Sequence, residues 1–305
     1  MNLTSDFVDS YEEALVKNIV IVFLGLIINS INAMLVVTFF SNPIFSRDSR
    51  YILYINLVMN DMIMIFVSVA LYVMSYTLRF VNFPFCCTLL ILAATTFMIS
   101  PLNLAGMAIE RFIAICKPLH HHQICTPLRT YIFISFLWCV GAIPSLADLI
   151  LLFSTQPASF FRSPVYCYPL IVFPTKPHQD RKTYSQVIYM SLVWLILIYT
   201  YCRVLFTAKK ATSQGSANKA RNTILLHGVQ LLLCMLSYLT PILNFVILSD
   251  LPAYRSNMTF LIYLLTNIIP RLLSPLIYGA RDQKFARKIR ERFTCKVFIL
   301  KIVPS

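Results

Sequence analysis

Three consecutive histidines, His120, His121 and His122, follow an adjacent acid and base, Glu110 and Arg111. Histidine clusters hold transition metals, and a carboxylate beside a cation can relay protons or work as a switch. The stretch reads AGMAIERFIAICKPLHHHQ over residues 105–123, an apolar run that meets the charged pair and breaks at Pro118. A metal centre needs ligands converging from several segments, yet the chain holds five histidines in all, with His178 and His227 far from the triplet. Three successive residues of a regular helix also point in different directions. The triplet is therefore read as polar loop residues, with no metal, no cofactor and no enzymatic role.

Two further charges stand deeper in apolar sequence: Asp61 within LVMNDMIMIF and Arg271 within IIPRLLSPLIYG. A charge in hydrocarbon is costly and marks function by default. Asn32, Ser100 and Ser274 fall at comparable depths along their runs, judged from the helical rise. Asp148 lies near the end of its run and is expected to reach water. One use for an Asp61/Arg271 pair is translocation in a membrane transporter. The chain shows neither the internal repeat nor the paired broken helices of that class.

The elements that carry these residues follow from composition. The chain has 305 residues, is 58% hydrophobic and only 12% charged; a soluble protein would carry about twice that charged share. Apolar runs longer than about 18 residues, each able to span roughly 30 Å of hydrocarbon as a helix, recur near 18–40, 51–76, 86–116, 130–152, 184–206, 222–248 and 258–279. The runs are continuous rather than alternating, which excludes a transmembrane barrel. The pattern predicts an all-α membrane protein, a bundle of seven transmembrane helices forming one domain. Residues 1–17 form an outer tail, 18–280 the helices and loops, and 281–305 an inner tail.

With the N-terminus outside, 18 of the 26 basic residues fall on the inner side, so the chain is read as a multi-pass cell-membrane protein, N-out and C-in. The net charge of +14 is then a topology signal facing the lipid bilayer and not a nucleic-acid footprint. The sequons at Asn2 and Asn257 both fall on the outer side. So do Cys86, Cys87 and Cys167, which allows one bridge between Cys167 and either of the first two. The Pro-rich stretch 153–182 reads as a stiff, irregular outer loop suited to a lid. After the last run, Phe285, Ile289 and Phe293 recur every four residues among basic ones, predicting an amphipathic helix at the inner interface, followed by Cys295.

Seven spans with an Asp in the second, Glu110-Arg111-Phe112 ending the third, Trp138 in the fourth and Ser274-Pro275 with Tyr278 ending the seventh resemble a rhodopsin-like G-protein-coupled receptor. The stretch MAIERFIAICKPLHH resembles the MA-acid-RYVAICxPL signature of olfactory receptors, and TYCRV, KARNT and PLIYGARDQKF match further. Details such as LLHGVQLLLCMLSY resemble a fish-type odorant receptor.

The resemblance implies that small odorant molecules bind within the bundle and that a Gs/olf-type G protein then raises cyclic AMP. It implies that Arg111 pairs with Glu110 at rest and turns toward Tyr201 and Tyr278 on activation, as the sixth span swings outward. The histidine triplet would then lie next to headgroups or the G protein. Cys86, at the family's spacing from Arg111, would be the partner of Cys167. Asn32, Asp61, Ser100 and Ser274 match the family's central polar network, where a sodium ion often binds. Arg271 departs from the family, and its guanidinium is expected to fill the sodium position and pair with Asp61. By the same matching, Ala93, Ala94, Phe97 and Met98, then Ser185, Gln186 and Tyr189, then Tyr238, Ile242 and Phe245, then Tyr263 and Asn267 would line the ligand pocket. Ala93 stands where amine receptors carry an aspartate, which argues against a biogenic amine. Arg181 and Lys182 sit at the pocket mouth, where they can attract an anion.

Overall fold

Long apolar runs interrupted at Asn42-Pro43, Lys117-Pro118 and Thr126-Pro127 leave the backbone one economical solution in lipid, the helix, with its breaks at the prolines. The computed structural model describes residues 11–78, 80–173, 175–210, 228–229, 232, 255–273 and 284–291. In chain order it comprises helix α1 (Tyr11–Phe40), α2 (Ser49–Thr77), strand β1 (Val81–Asn82), α3 (Phe83–Cys116), α4 (Pro118–Ile124) and α5 (Pro127–Thr155). Strand β2 (Pro164–Val165), α6 (Pro169–Val172), α7 (Lys176–Lys210) and α8 (Arg255–Tyr263) follow. Among the described residues, α1, α2, α3, α5 and α7 are each long and apolar enough to cross a membrane, and Asn257–Leu273 is a shorter apolar helix. Of the sixth expected span, 222–248, only 228–229 and 232 are described, and they are helical.

Local chemistry sets the ends. Asp48 caps α2 by accepting from the Arg50 amide at 3.0 Å, and Thr126 caps α5 through the Arg129 amide. Pro118 does not merely end α3: it opens α4 in the first helical turn, where its missing N–H costs nothing. Two helices run past their apolar cores. α1 starts at Tyr11 rather than residue 18, with Glu12 and Glu13 in a first turn that favours acids. α7 starts at Lys176 rather than 184, so the stretch expected as loop to residue 182 is partly helix. The rest of that stretch holds a 3-10 turn at Phe160–Arg162, β2 and α6. The Asn257 sequon falls in α8, with Asn257 exposed, and not in a loop.

α3 is the central helix, packed against α2, α5 and α7, while α1 packs on α2. Its contact with α5 depends on two missing side chains. A Cβ at Gly106 would lie 2.7 Å from Phe133 Cε1, and one at Gly141 would lie 2.8 Å from Ile99 Cγ1; small residues let membrane helices approach this closely. At the end of the bundle near Glu110, residues 284–291 form a helix whose Phe285 is fully buried. The Phe285 ring centre lies 5.0 Å from that of Phe45 and about 6 Å from those of Tyr51 and Tyr54. The apolar face of this short helix is thus spent on the bundle itself.

At the opposite end a disulfide joins Cys86 of α3 to Cys167, and β1 pairs antiparallel with β2, Val81 opposite Val165. Cys87 stays a free, buried thiol. The bridge ties the β2–α6 segment over the end of α3, around a cluster of Phe83, Leu90, Leu152 and Val172. Cys86→Ser or Cys167→Ser is expected to cost about 2–5 kcal/mol and to deplete the protein at the cell surface, whereas Cys87→Ser leaves it in place. Surface staining with thiol labelling checks this; equal loss in all three variants would contradict it.

Candidate functional site

Three layers of the bundle hold a buried or half-buried carboxylate, and each is answered by cations. In the middle layer, Asp61 of α2 and Arg271 are both buried at 6% exposure. Arg271 Nε lies 3.8 Å from Asp61 Oδ1. The guanidinium also donates to the Asn267 carbonyl at 2.6 Å and to Met64 Sδ at 2.8 Å. The Asn267 carbonyl belongs to a π-helical stretch, Leu264–Ile268, where the wider turn loosens the regular ladder. Pro270, two residues beyond the stretch, has no amide hydrogen to give to the preceding turn. Ser100 donates to Asp61 at 3.4 Å, and Asn60 donates to Ser100 Oγ and to the Thr96 carbonyl, each at 2.9 Å. Asn60 is a member of this network that sequence reading missed, because one buried Asn beside Asp61 looks like any helical polar residue. Asn32 is buried, but neither atom of its amide has a partner among the described residues. Ser274 lies outside them.

A second polar cluster sits one layer toward Glu110. Trp138 Nε1 donates to Asn56 Oδ1 at 3.1 Å, Asn56 donates to Asn103 Oδ1 at 3.3 Å, and Asn103 donates to the Leu53 carbonyl at 3.0 Å. This chain ties α2, α3 and α5 together. Of it, only Trp138 stood out in the sequence.

Near the end of α3, Glu110 is buried at 5% exposure. Arg111 Nε lies 3.7 Å from Glu110 Oε2, but the shorter contact is with His121 of α4, whose Nε2 lies 2.9 Å from Glu110 Oε1. The histidine triplet is thus split: His121 turns inward to the carboxylate while His120 and His122 stay exposed. Sequence reading placed all three beside headgroups or a partner, because it had α3 end without a helix to fold α4 back. The Glu110 hydrogen bond raises His121 above its ordinary pKa, partly opposed by burial. Tyr201, on α7, packs against the apolar core of this half; Tyr278 lies outside the described residues.

The third layer lines a cavity of about 380 Å³. Asp148, expected to reach water, instead accepts from His178 Nδ1 at 2.8 Å and pairs with Arg181. Arg181 also donates to the Pro144 carbonyl at 2.6 Å. Of the expected pocket residues, Ala93, Ala94, Phe97, Met98, Ser185, Gln186 and Asn267 line this cavity. Tyr189 and Tyr263 do not. Pro144 has no amide hydrogen for the Val140 carbonyl, and the Tyr189 hydroxyl donates to that carbonyl at 2.6 Å. Tyr263 instead stacks with Tyr72, ring centres 6.0 Å apart. Tyr238, Ile242 and Phe245 lie outside the described residues, as does Asn2. Met64 and Asn267 line the cavity and also hold Arg271, the first through its thioether and the second through its backbone carbonyl, so the cavity and the central charge network share two residues.

The chain matches the family described as 7 transmembrane receptor (rhodopsin family) over residues 31–278. It is 30% identical to Odorant receptor 131-2 of Danio rerio over 273 residues, 89% of this chain and 84% of that protein. It is 28% identical to the human Olfactory receptor 4F6 over 64% of this chain and 62% of that protein. For the human Olfactory receptor 4K1 the figures are 30%, 59% and 57%. The matched region therefore spans less than two thirds of these human relatives' length. A transporter, the other reading of the Asp61/Arg271 pair, finds no support in these matches.

Two outcomes follow from the charge layers. Arg271→Gln strands Asp61 in the core and is expected to destabilise the protein by about 3–5 kcal/mol, while adding Asp61→Asn recovers part of the loss. Thermal unfolding in detergent reads both, and strictly additive losses would contradict the pairing. For His121, the raised folded value means that its contribution is complete below the ordinary value of about 6.5. That contribution disappears as pH climbs through the raised value. The wild type should therefore lose more thermal stability than His121→Gln as pH rises from the ordinary value of about 6.5 into the alkaline range; parallel curves would refute the contact.

Proposed function

The chain belongs to the rhodopsin family of seven-transmembrane receptors and, within it, to the odorant receptors; from that premise we propose that it binds small odorants in the cavity and signals through a Gs/olf-type G protein to raise cyclic AMP. An odorant as ligand and a G protein as partner go with the family. The side of the membrane follows from the basic residues: the disulfide end faces outside and the Glu110 end faces the cytoplasm.

The observation that carries the reading is the sharing of two residues between cavity and network, Met64 by its side chain and Asn267 by its backbone carbonyl. A ligand in the cavity touches Met64 and Asn267, and those residues orient the guanidinium that meets Asp61. A ligand shifts an equilibrium only by the difference in its affinity for two arrangements. Contacts at Met64 and Asn267 supply such a difference, because moving either one alters the coordination of a buried charge. Arg271 occupies the central polar site as a fixed cation, so a mobile sodium ion has no place there. At the cytoplasmic end Arg111 is held only loosely, at 3.7 Å from Glu110, and Glu110 keeps His121 as a partner when Arg111 leaves. Arg111 can therefore be exchanged to the G protein without stranding the buried carboxylate.

The test is an odorant screen on cells that express the chain at their surface together with a Gs/olf-type G protein. A cyclic-AMP rise is expected, and Arg111→Ala is expected to reduce it at least tenfold at unchanged surface level. A response that survives Arg111→Ala, or one that runs without cyclic AMP, would count against the reading.

A further inference from the structure

The charges around the cavity do not balance. Among its described lining residues the charged side chains are Asp148, Arg181 and Lys182. Asp148 is already answered by Arg181 and by His178. Lys182 has no ion pair or hydrogen bond among the described residues, and Asp180, its near neighbour on α7, does not line the cavity. Among the described lining residues the cavity therefore carries one uncompensated positive charge, beside apolar side chains that include Leu90, Ala93, Phe97 and Met98.

The arrangement on α7 gives that charge neighbours. Lys182, Ser185 and Gln186 stand at i, i+3 and i+4, on one face of the helix, and all three line the cavity. His178 precedes them by one turn, is only 3% exposed, and its Nε2 is buried without a hydrogen-bond partner among the described residues. An ammonium, a hydroxyl and an amide on one stripe form a donor set for an oxyanion. A cationic ligand would meet the excess positive charge, with Asp148 already engaged. A neutral ligand would leave Lys182, which is exposed at the cavity's rim, to water alone.

Resting on the receptor reading above, we propose that the ligand class is a singly charged organic acid. Its carboxylate is held by Lys182 with Ser185 and Gln186, and its apolar body lies against Phe97 and Met98. One excess charge matches one carboxylate and not a dianionic phosphate.

The experiment uses the purified full chain in detergent and, separately, cells carrying it at the surface. The probes are hexanoate, octanoate and phenylacetate, each beside the alcohol and the amine of the same skeleton, with octyl phosphate as the dianion. Binding is read by thermal shift, since a ligand that binds only the folded state raises its stability; signalling is read by cyclic AMP. The acids are expected to bind at least about tenfold more tightly than their alcohols and amines, as loss of a charge-assisted hydrogen bond costs a factor of this order. Lys182→Gln is expected to remove that advantage, with the surface level and the alcohols' weaker binding unmoved, and Lys182→Arg to keep it. Acids no better than alcohols, tighter binding of octyl phosphate, or an acid preference that survives Lys182→Gln would overturn the assignment. The two readings separate cleanly. Acids that shift unfolding but evoke no cyclic AMP support the ligand class and sink the signalling. A cyclic-AMP response confined to alcohols or amines sinks the ligand class and leaves the receptor standing.

Discussion

An ion inside hydrocarbon has no water to turn to, so each buried charge must find its counter-charge within the protein. Here that constraint is met at three depths. Asp61 is met by Arg271, Glu110 by Arg111 and His121, and Asp148 by Arg181 and His178. Apart from the adjacent Glu110 and Arg111, each pairing bridges segments that are distant in sequence or separated by a helix break, so the charge layers also say which helices must be neighbours. The apolar faces alone would not: helices dissolved in lipid gain little from burying one greasy surface against another. The uncharged links among Asn56, Asn103 and Trp138 add directional contacts between the same helices.

Backbone groups obey the same rule, and proline makes it visible. Pro144 deprives the Val140 carbonyl of its helical donor, and Tyr189 reaches across from α7 to replace it. The carbonyl of Pro144 itself is engaged by Arg181. One proline thus recruits two residues of α7, and both contacts place that helix against α5 beside the cavity. In the last described apolar helix, the π-helical stretch before Pro270 offers the Asn267 carbonyl to Arg271. Irregular backbone in this bundle is found where a side chain is ready to satisfy it.

Much of the architecture was legible because hydrocarbon imposes a length and a composition on anything that crosses it. The runs at 51–76 and 86–116 sit within a few residues of α2 and α3. The pairing of Asp61 with Arg271 was legible for a related reason, since two lone opposite charges in apolar sequence have few other places to go. What stayed hidden depended on how the chain folds back at the ends of helices. His121 reaches Glu110 only because α4 reverses after Lys117, and no periodicity announces a reversal. Asp148 looked like a residue near water because the extra turns of α7 that bring His178 and Arg181 to it are polar, and so resemble loop. Tyr189 fell on the expected face of its helix, yet a tyrosine pointing inward has two uses, lining a cavity or donating to a backbone. The proline across from it decided between them.

The three charge layers differ in how tightly they are closed, and the difference matches what each end of the bundle has to do. The middle pair is buried on both sides and braced by Met64, Asn267 and Ser100, so it resists change unless one of those braces moves. The Glu110 layer is closed twice over, and one of its two cations can leave while the other keeps the carboxylate company. The Asp148 layer is closed as well, yet Lys182 stands beside it with no counter-charge among the described residues. A bundle with the central pair open would lose stability. Placing an imbalance at the cavity, two shared residues away from the braced pair, leaves the fold secure and, on the proposal above, gives a small anion something to complete.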